Sequence, residues 1–112
     1  MDLAGRVVLL TGAKRIGADV ALAAAERGAD IAVAFNRSAS EAEAVVERIG
    51  SLGRRAIAVQ ADVSDPDACA NLVATTGREL GRLDVLVNMA SMYRSVPFDE
   101  TDIAAWDRQL AI

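Results

Sequence analysis

Residues Arg6 to Gly17 read RVVLLTGAKRIG, an apolar run followed at once by a turn that contains two glycines. An apolar run without polar alternation is typical of a strand buried on both faces, as in a parallel sheet. The residues after the turn have helical spacing, so the stretch predicts a strand, a tight turn and a helix. The N–H groups and positive dipole end of such a helix favour a bound phosphate. A tight turn without a ligand is the alternative interpretation.

The same order of buried strand and amphipathic helix repeats along the chain. Strands are predicted at Arg6–Thr11, Ile31–Phe35, Ala56–Ala61 and Val85–Val87. Helices are predicted at Ile16–Arg27, from about Ser38 to Leu52, from Pro66 to Gly81, and after Thr101. This alternation implies an α/β fold of the Rossmann type, a doubly wound parallel sheet in the order 3-2-1-4 within three αβα layers. A ligand is expected where strands 1 and 4 end, because the strand order reverses there.

Apolar spacing predicts which face each helix buries. The expected buried positions are Ile16, Val20 and Ala23 or Ala24 in the first helix, Ala42, Val45, Val46 and Ile49 in the second, Cys69, Leu72, Val73, Thr76 and Leu80 in the third, and Ile103, Trp106 and Leu110 in the last. A capping box is expected at the second helix, with Ser38 and Glu41 or with Ser40 and Glu43. Asp65, which precedes a proline, is expected to cap the third helix.

Composition restricts the possible classes of protein. The chain has 112 residues, 53% of them hydrophobic and 25% charged, which predicts one globular domain over residues 1–112. Its net charge of −4 argues against a nucleic-acid partner. No apolar run reaches the roughly 18 residues of a membrane span. With no histidine and only Cys69, a metal site is not expected, and the cytoplasm is the default compartment.

Motifs at three strand ends resemble those of the short-chain dehydrogenase/reductases. They are Thr11-Gly12 after strand 1, Asp62-Val63 after strand 3, and Asn-Met-Ala-Ser from Asn88 after strand 4. The family's glycine motif, TGxxxGxG, is one residue longer, and Arg15 stands where its middle glycine usually lies. An arginine there, and an aromatic residue such as Tyr93 after the third motif, are similar to the pteridine-reductase-like branch.

The resemblance implies the N-terminal, cofactor-binding half of an NADP(H)-dependent oxidoreductase. Such an enzyme transfers a hydride between nicotinamide and a small carbonyl or alcohol substrate, and it is expected to be a dimer or tetramer when intact. A dinucleotide-binding module or sensor without catalysis is the alternative. The expected phosphate-binding residues lie in the glycine turn: Gly12, Lys14, Arg15, Ile16 and Gly17.

The end of strand 2 predicts the choice of cofactor. An NAD enzyme places an acid here to bind the ribose hydroxyls, whereas this strand ends Phe35-Asn36-Arg37-Ser38. Arg37 can donate two N–H bonds to a ribose 2′-phosphate, and Ser38 can add a hydroxyl. NADP is therefore favoured over NAD, although an ordinary charged loop would look the same.

The remaining candidate residues follow strands 3 and 4. Asp62 is an acceptor-only carboxylate that could take the exocyclic amine of adenine, or it could be an ordinary loop residue. The resemblance implies that Val63 offers a backbone N–H to the ring and that Asn88 anchors the central strands. It also implies that Ala90 and Ser91 border the ribose and nicotinamide. Tyr93 is interpreted as a substrate-side aromatic or a partly buried loop tyrosine.

No catalytic residue is expected within this sequence. The family's acid lies in a Tyr-x-x-x-Lys dyad, but four residues after Tyr93 stands Pro97. The single lysine, Lys14, lies in the glycine turn.

Overall fold

Strands and helices alternate along the chain, as the sequence predicts. A computed structural model describes residues 2–12, 14 and 16–89 of the protein. Within these residues the elements are β1 (Val7–Thr11), α1 (Ile16–Glu26), β2 (Asp30–Phe35), α2 (Ala39–Ser51), β3 (Ala56–Gln60), α3 (Pro66–Leu80) and β4 (Val85–Asn88). The helix expected after Thr101, with Trp106 on its apolar face, lies outside the described residues.

The four strands form one parallel sheet in the order β3-β2-β1-β4. β1 is central and is buried along its whole length. Its register places Leu9 beside Ala32 of β2 on one side and beside Leu86 of β4 on the other. The predicted Rossmann-type α/β fold and its strand order are therefore confirmed.

Alternate residues of the strands supply two core layers. Val8 and Leu10 of β1 belong to one buried cluster, which includes the buried faces of α1 and α2. Val7 and Leu9 belong to the other, which includes Leu72 of α3. Each buried aliphatic side chain contributes about 1.5–3 kcal/mol to stability. Because there is a buried cluster on each side, the sheet is stabilised from both faces.

The buried face of α1 differs from the predicted one. Ile16 is 65% exposed, and the fully buried positions of the helix are small: Gly17, Ala21, Ala24 and Ala25. Small side chains let the helix axis approach the sheet closely, and this outweighs the gain from burying the larger Ile16. The prediction for Ile16 was wrong because apolar spacing alone does not reveal how close the helix comes.

Val73 is also more exposed than predicted, and one apolar residue of β4 is exposed as well. Val73 is 50% exposed, since α3 buries only the narrow stripe formed by Leu72, Thr76 and Leu80. Leu86 of β4 is 62% exposed, whereas Val85 and Val87 pack against the cluster that contains α1 and α2. Among the described residues, β4 is therefore covered on one face only.

The helix caps confirm one prediction and overturn another. Asp65 accepts a hydrogen bond from the Asp67 amide at 3.0 Å, and Gly81 ends α3 with φ +87°. Ser38 is the N-cap of α2, but its side chain makes no capping hydrogen bond, and Ser40 lies inside the helix. The Ser40 hydroxyl instead donates to Glu41 Oε2 at 3.1 Å, so the predicted capping box at Ser38 does not form.

Ion pairs and hydrogen bonds stabilise the end of the sheet where the strands begin. The Asp30 carboxylate accepts from Nε and Nη2 of Arg55 at 3.1 and 2.9 Å. Asp84 accepts from the Val7 amide at 2.9 Å and from Nη2 of Arg82 at 2.7 Å. These contacts lie at the edge opposite to the one where β1 and β4 end.

Candidate functional site

The glycine turn brings the start of α1 against the end of β1. Gly12 has φ +91°, a left-handed conformation that favours glycine, and its N–H donates to the Ala34 carbonyl at 3.0 Å. A Cβ on Gly17 would overlap the Gly12 carbonyl oxygen, so only glycine permits this approach. Lys14 is exposed on the turn, and its carbonyl accepts from the Gly17 amide at 3.0 Å. Ala13 and Arg15 lie outside the described residues.

A hydrogen bond joins the ends of β1 and β4. Thr11 Oγ1 donates to Asn88 Oδ1 at 2.6 Å. The Met89 amide donates to the Thr11 carbonyl at 2.9 Å and lies 3.1 Å from Thr11 Oγ1. These hydrogen bonds connect Met89, the residue after β4, to Thr11 at the start of the glycine turn. Ala90, Ser91 and Tyr93, the other residues predicted here, lie outside the described residues.

The end of β2 presents a cation beside the adjacent strand. Arg37 is exposed, and its charge helps to lower the pKa of Asp62, after the larger effects of the two hydrogen bonds from Ser64. Gln60 of β3 donates to Asn36 Oδ1 at 3.3 Å and so connects the two strand ends. Ser38 follows Arg37 as the N-cap of α2.

Lys14 supplies a second cation from the glycine turn. Its charge contributes to lowering the pKa of Glu41, after the larger effects of the glutamate's own backbone N–H and of Ser40. Positive charges from two loops, Lys14 and Arg37, flank the edge where the strands end.

Asp62 is held by a residue that the sequence analysis did not single out. Its Oδ1 accepts from the Ser64 hydroxyl at 2.6 Å and from the Ser64 amide at 3.0 Å. These hydrogen bonds, the side-chain bond first, hold the pKa of Asp62 below its ordinary value of 3.8. Val63 is half-buried, and its carbonyl accepts from the Cys69 thiol at 3.2 Å.

Two contacts of this edge escaped the sequence analysis. The Thr11–Asn88 bond joins residues that are distant in the chain, so only the β1–β4 register reveals it. The Asp62–Ser64 contact has a local signal, because a serine two residues after an aspartate is typical of a side-chain turn.

The arrangement has the donors and acceptors that a dinucleotide requires. The close approach at Gly17 and the nearby Lys14 suit a phosphate pair. Arg37 suits a further phosphate, and the Asp62 carboxylate suits an amine of a base. Across the part of the chain that the structure describes, no group of three or more His, Cys, Asp or Glu residues could hold a metal ion. Nor do the described helices include one with the length and apolar character needed to cross a membrane.

Comparison with known proteins identifies similar chains. The family model described as short chain dehydrogenase matches residues 6–112. Versicolorin reductase 1 of Aspergillus parasiticus is 50% identical over 91 residues, which are 80% of this chain and 35% of the relative. The short-chain dehydrogenase/reductase homologue YusS of Bacillus subtilis is 38% identical over 108 residues, which cover 96% of this chain and 99% of YusS.

Solved structures with the same fold extend the comparison. A short chain dehydrogenase from Burkholderia cenocepacia in complex with NADP superposes with a TM-score of 0.90 at 43% identity. The alignment covers 99% of this chain and 46% of that one. A blue fluorescent protein from a metagenomic library, in complex with NADPH, gives a TM-score of 0.86 at 35% identity, again covering 46% of that chain. This chain therefore spans less than half the length of versicolorin reductase 1 and of both structures.

Proposed function

Because the chain belongs to the short-chain dehydrogenase/reductase family, we propose that residues 1–112 form the NADP(H)-binding half of an oxidoreductase. The observation that carries the proposal is the meeting of β1 and β4 beside the glycine turn, with Thr11 bonded to Asn88 at 2.6 Å. This is the point in a doubly wound sheet where the strand order reverses and where dinucleotides bind. The similar structures that contain NADP and NADPH support the same assignment.

The phosphates are assigned to two loops. Backbone N–H groups at the start of α1 hold the pyrophosphate, with participation from Gly12, Lys14, Arg15, Ile16 and Gly17. Arg37 and Ser38 hold the 2′-phosphate, since no carboxylate ends β2 and the guanidinium can donate two parallel bonds. NADP is therefore preferred over NAD. The arginine in the glycine turn also suits the pteridine-reductase-like branch of the family.

The base and the nicotinamide occupy the other strand ends. Asp62 accepts the adenine amine and the Val63 amide contacts the ring. Asn88 anchors the central strands, and Ala90 and Ser91 border the ribose and nicotinamide. Tyr93 lies on the substrate side.

These residues bind and orient the cofactor, and none of them is assigned as the catalytic acid. When bound, the nicotinamide supplies or accepts the hydride. The acid that protonates a carbonyl oxygen must come from elsewhere in the intact enzyme, because this sequence contains no Tyr-x-x-x-Lys dyad. We further propose a small carbonyl or alcohol substrate, assembly as a dimer or tetramer, and a cytoplasmic location.

Calorimetric titration with NADPH and NADH tests the choice of cofactor. One charge-assisted hydrogen bond contributes about 1.5–3 kcal/mol, so NADPH should bind roughly 10- to 100-fold more tightly than NADH. Arg37→Ala should remove most of that difference. Arg48→Ala is the matched control, because Arg48 is an exposed arginine in the last turn of α2. Equal dissociation constants for NADPH and NADH in the unchanged protein would contradict the proposal.

A further inference from the structure

We propose that Ser64 is a positioning residue, which orients the Asp62 carboxylate toward the adenine amine of the bound dinucleotide. The inference rests on the proposed function and adds a residue to it. The Ser64 hydroxyl and amide both bond to one carboxylate oxygen, Oδ1, at 2.6 and 3.0 Å. Two bonds to one oxygen fix the rotation of the carboxylate about its Cβ–Cγ bond.

The second oxygen of the carboxylate remains available. Within the described residues, no hydrogen bond engages Asp62 Oδ2, and Asp62 is exposed at the edge where the strands end. An ionised carboxylate is acceptor-only, so Oδ2 can take an N–H bond from an exocyclic amine. Ser64 thus occupies Oδ1 and leaves Oδ2 available to the proposed ligand.

The turn around Asp62 is held by other contacts as well. The Asp65 amide donates to the Asp62 carbonyl at 3.0 Å, and the Cys69 thiol donates to the Val63 carbonyl at 3.2 Å. Neither contact uses the Ser64 side chain. Removing the hydroxyl should therefore leave the backbone of the turn in place, with only the carboxylate less constrained.

The Ser64 hydroxyl also lowers the pKa of the Asp62 carboxyl. Its bond is the largest cause of the lowered pKa of Asp62, ahead of the backbone bond and of the charge of Arg37. Ser64→Ala should raise the Asp62 pKa toward its ordinary value of 3.8, while Ser64→Thr, which keeps a hydroxyl, should preserve the lowered value. Carbon-detected NMR of the Asp62 carboxyl in the cofactor-free protein measures this directly.

A pair of cofactors tests the action on adenine. NADPH has the exocyclic amine, whereas its hypoxanthine analogue has a carbonyl oxygen at that position and cannot donate to Asp62. The unchanged protein should prefer NADPH by about tenfold, the effect of one hydrogen bond to a charged group. Asp62→Ala should reduce this preference, and it should weaken NADPH and NADH by the same factor because both contain adenine.

Ser64→Ala should reduce the preference for NADPH over the hypoxanthine analogue to about threefold or less, and Ser64→Thr should restore it. Ser51→Ala is the control, since Ser51 is an exposed serine at the far end of α2. If Ser64→Ala weakens both cofactors equally, or leaves the preference unchanged, Ser64 does not position Asp62. If the unchanged protein binds neither cofactor, the proposed function and this inference both fail. Binding without any preference for NADPH overturns this inference and the assignment of Asp62 to adenine, but it leaves the proposed cofactor-binding function standing.

Discussion

Replacing Gly17 by alanine tests the close approach of α1 to the glycine turn. Inside a helix, alanine is ordinarily more favourable than glycine by about 0.5–1 kcal/mol. At Gly17, however, the new Cβ would overlap the Gly12 carbonyl oxygen and lie 3.0 Å from its carbonyl carbon. The obstacle is backbone, which cannot rotate away as a flexible side chain can. The overlap therefore has to be relieved by a shift of the helix or of the turn.

The expected magnitude follows from these two opposing effects. Overpacking costs about 1–3 kcal/mol, and an overlap with backbone lies in the upper part of that range, about 2–3 kcal/mol. After the helical gain of about 0.5–1 kcal/mol, the net loss is about 1–2.5 kcal/mol. For a domain of this size, 1 kcal/mol corresponds to about 4 °C, which predicts a fall in Tm of roughly 4–10 °C. NADPH affinity should also fall, because a displaced helix start moves its N–H groups away from the pyrophosphate.

Gly77→Ala is the matched control, since Gly77 lies inside α3 and nothing lies within 4 Å of a Cβ added there. It should raise Tm by about 2–4 °C and leave NADPH affinity unchanged. Differential scanning calorimetry of the two variants, with and without NADPH, gives both measurements. If Gly17→Ala gains stability as Gly77→Ala does, the close approach at the turn is refuted.

Two carboxylates, Asp30 and Asp84, stabilise the end of the sheet where the strands begin. Asp84 accepts from Arg82 and from the Val7 amide, and these bonds hold its pKa below the ordinary value of 3.8. The ionised carboxylate therefore adds to the free energy of unfolding at neutral pH, and this stabilisation is lost as the pH falls below about 3.8. Asp84→Asn should lower the urea midpoint at pH 7, and the difference from the unchanged protein should shrink at pH 3; a constant difference would contradict this. Arg55→Ala should cost about 1 kcal/mol, because its paired guanidinium is largely exposed, and a chemical denaturation series that shows no loss would exclude a role for the Asp30–Arg55 pair.

The sequence predicts the alternation of strands and helices because it depends on short-range patterns. The uninterrupted apolar run in β1 and the helix stop at Gly81 each have a local signal, and the structure agrees with both. A parallel sheet with right-handed crossovers follows from this alternation. The order 3-2-1-4 is that of the Rossmann type, and the handedness of the crossovers alone does not select it over other doubly wound orders.

Helix orientation and side-chain pairing are less accessible to sequence reasoning. Ile16 was expected in the core, yet α1 buries alanines and Gly17 because the turn draws its first residues against the sheet. Ser38 was expected to bond the Glu41 amide, but its side chain makes no capping bond and Glu41 accepts from Ser40 instead. Both outcomes depend on which of two local contacts is stronger, and a pattern of residue types does not rank them.

The carboxylates at the two ends of the sheet differ in how they are bonded, in line with the proposed binding site where the strands end. Where the strands begin, Asp30 and Asp84 are each 11% exposed in the side chain and bonded to arginines and backbone amides. Where the strands end, Asp62 and Arg37 are exposed, and the Asp62 carboxylate keeps one oxygen without a hydrogen bond to the described chain. A carboxylate whose acceptor sites are satisfied within the protein stabilises the fold, whereas an exposed acceptor at a switch point can serve a ligand. Variants of Asp30 and Asp84 should therefore change unfolding with little effect on cofactor affinity, and variants of Asp62 and Arg37 should do the reverse.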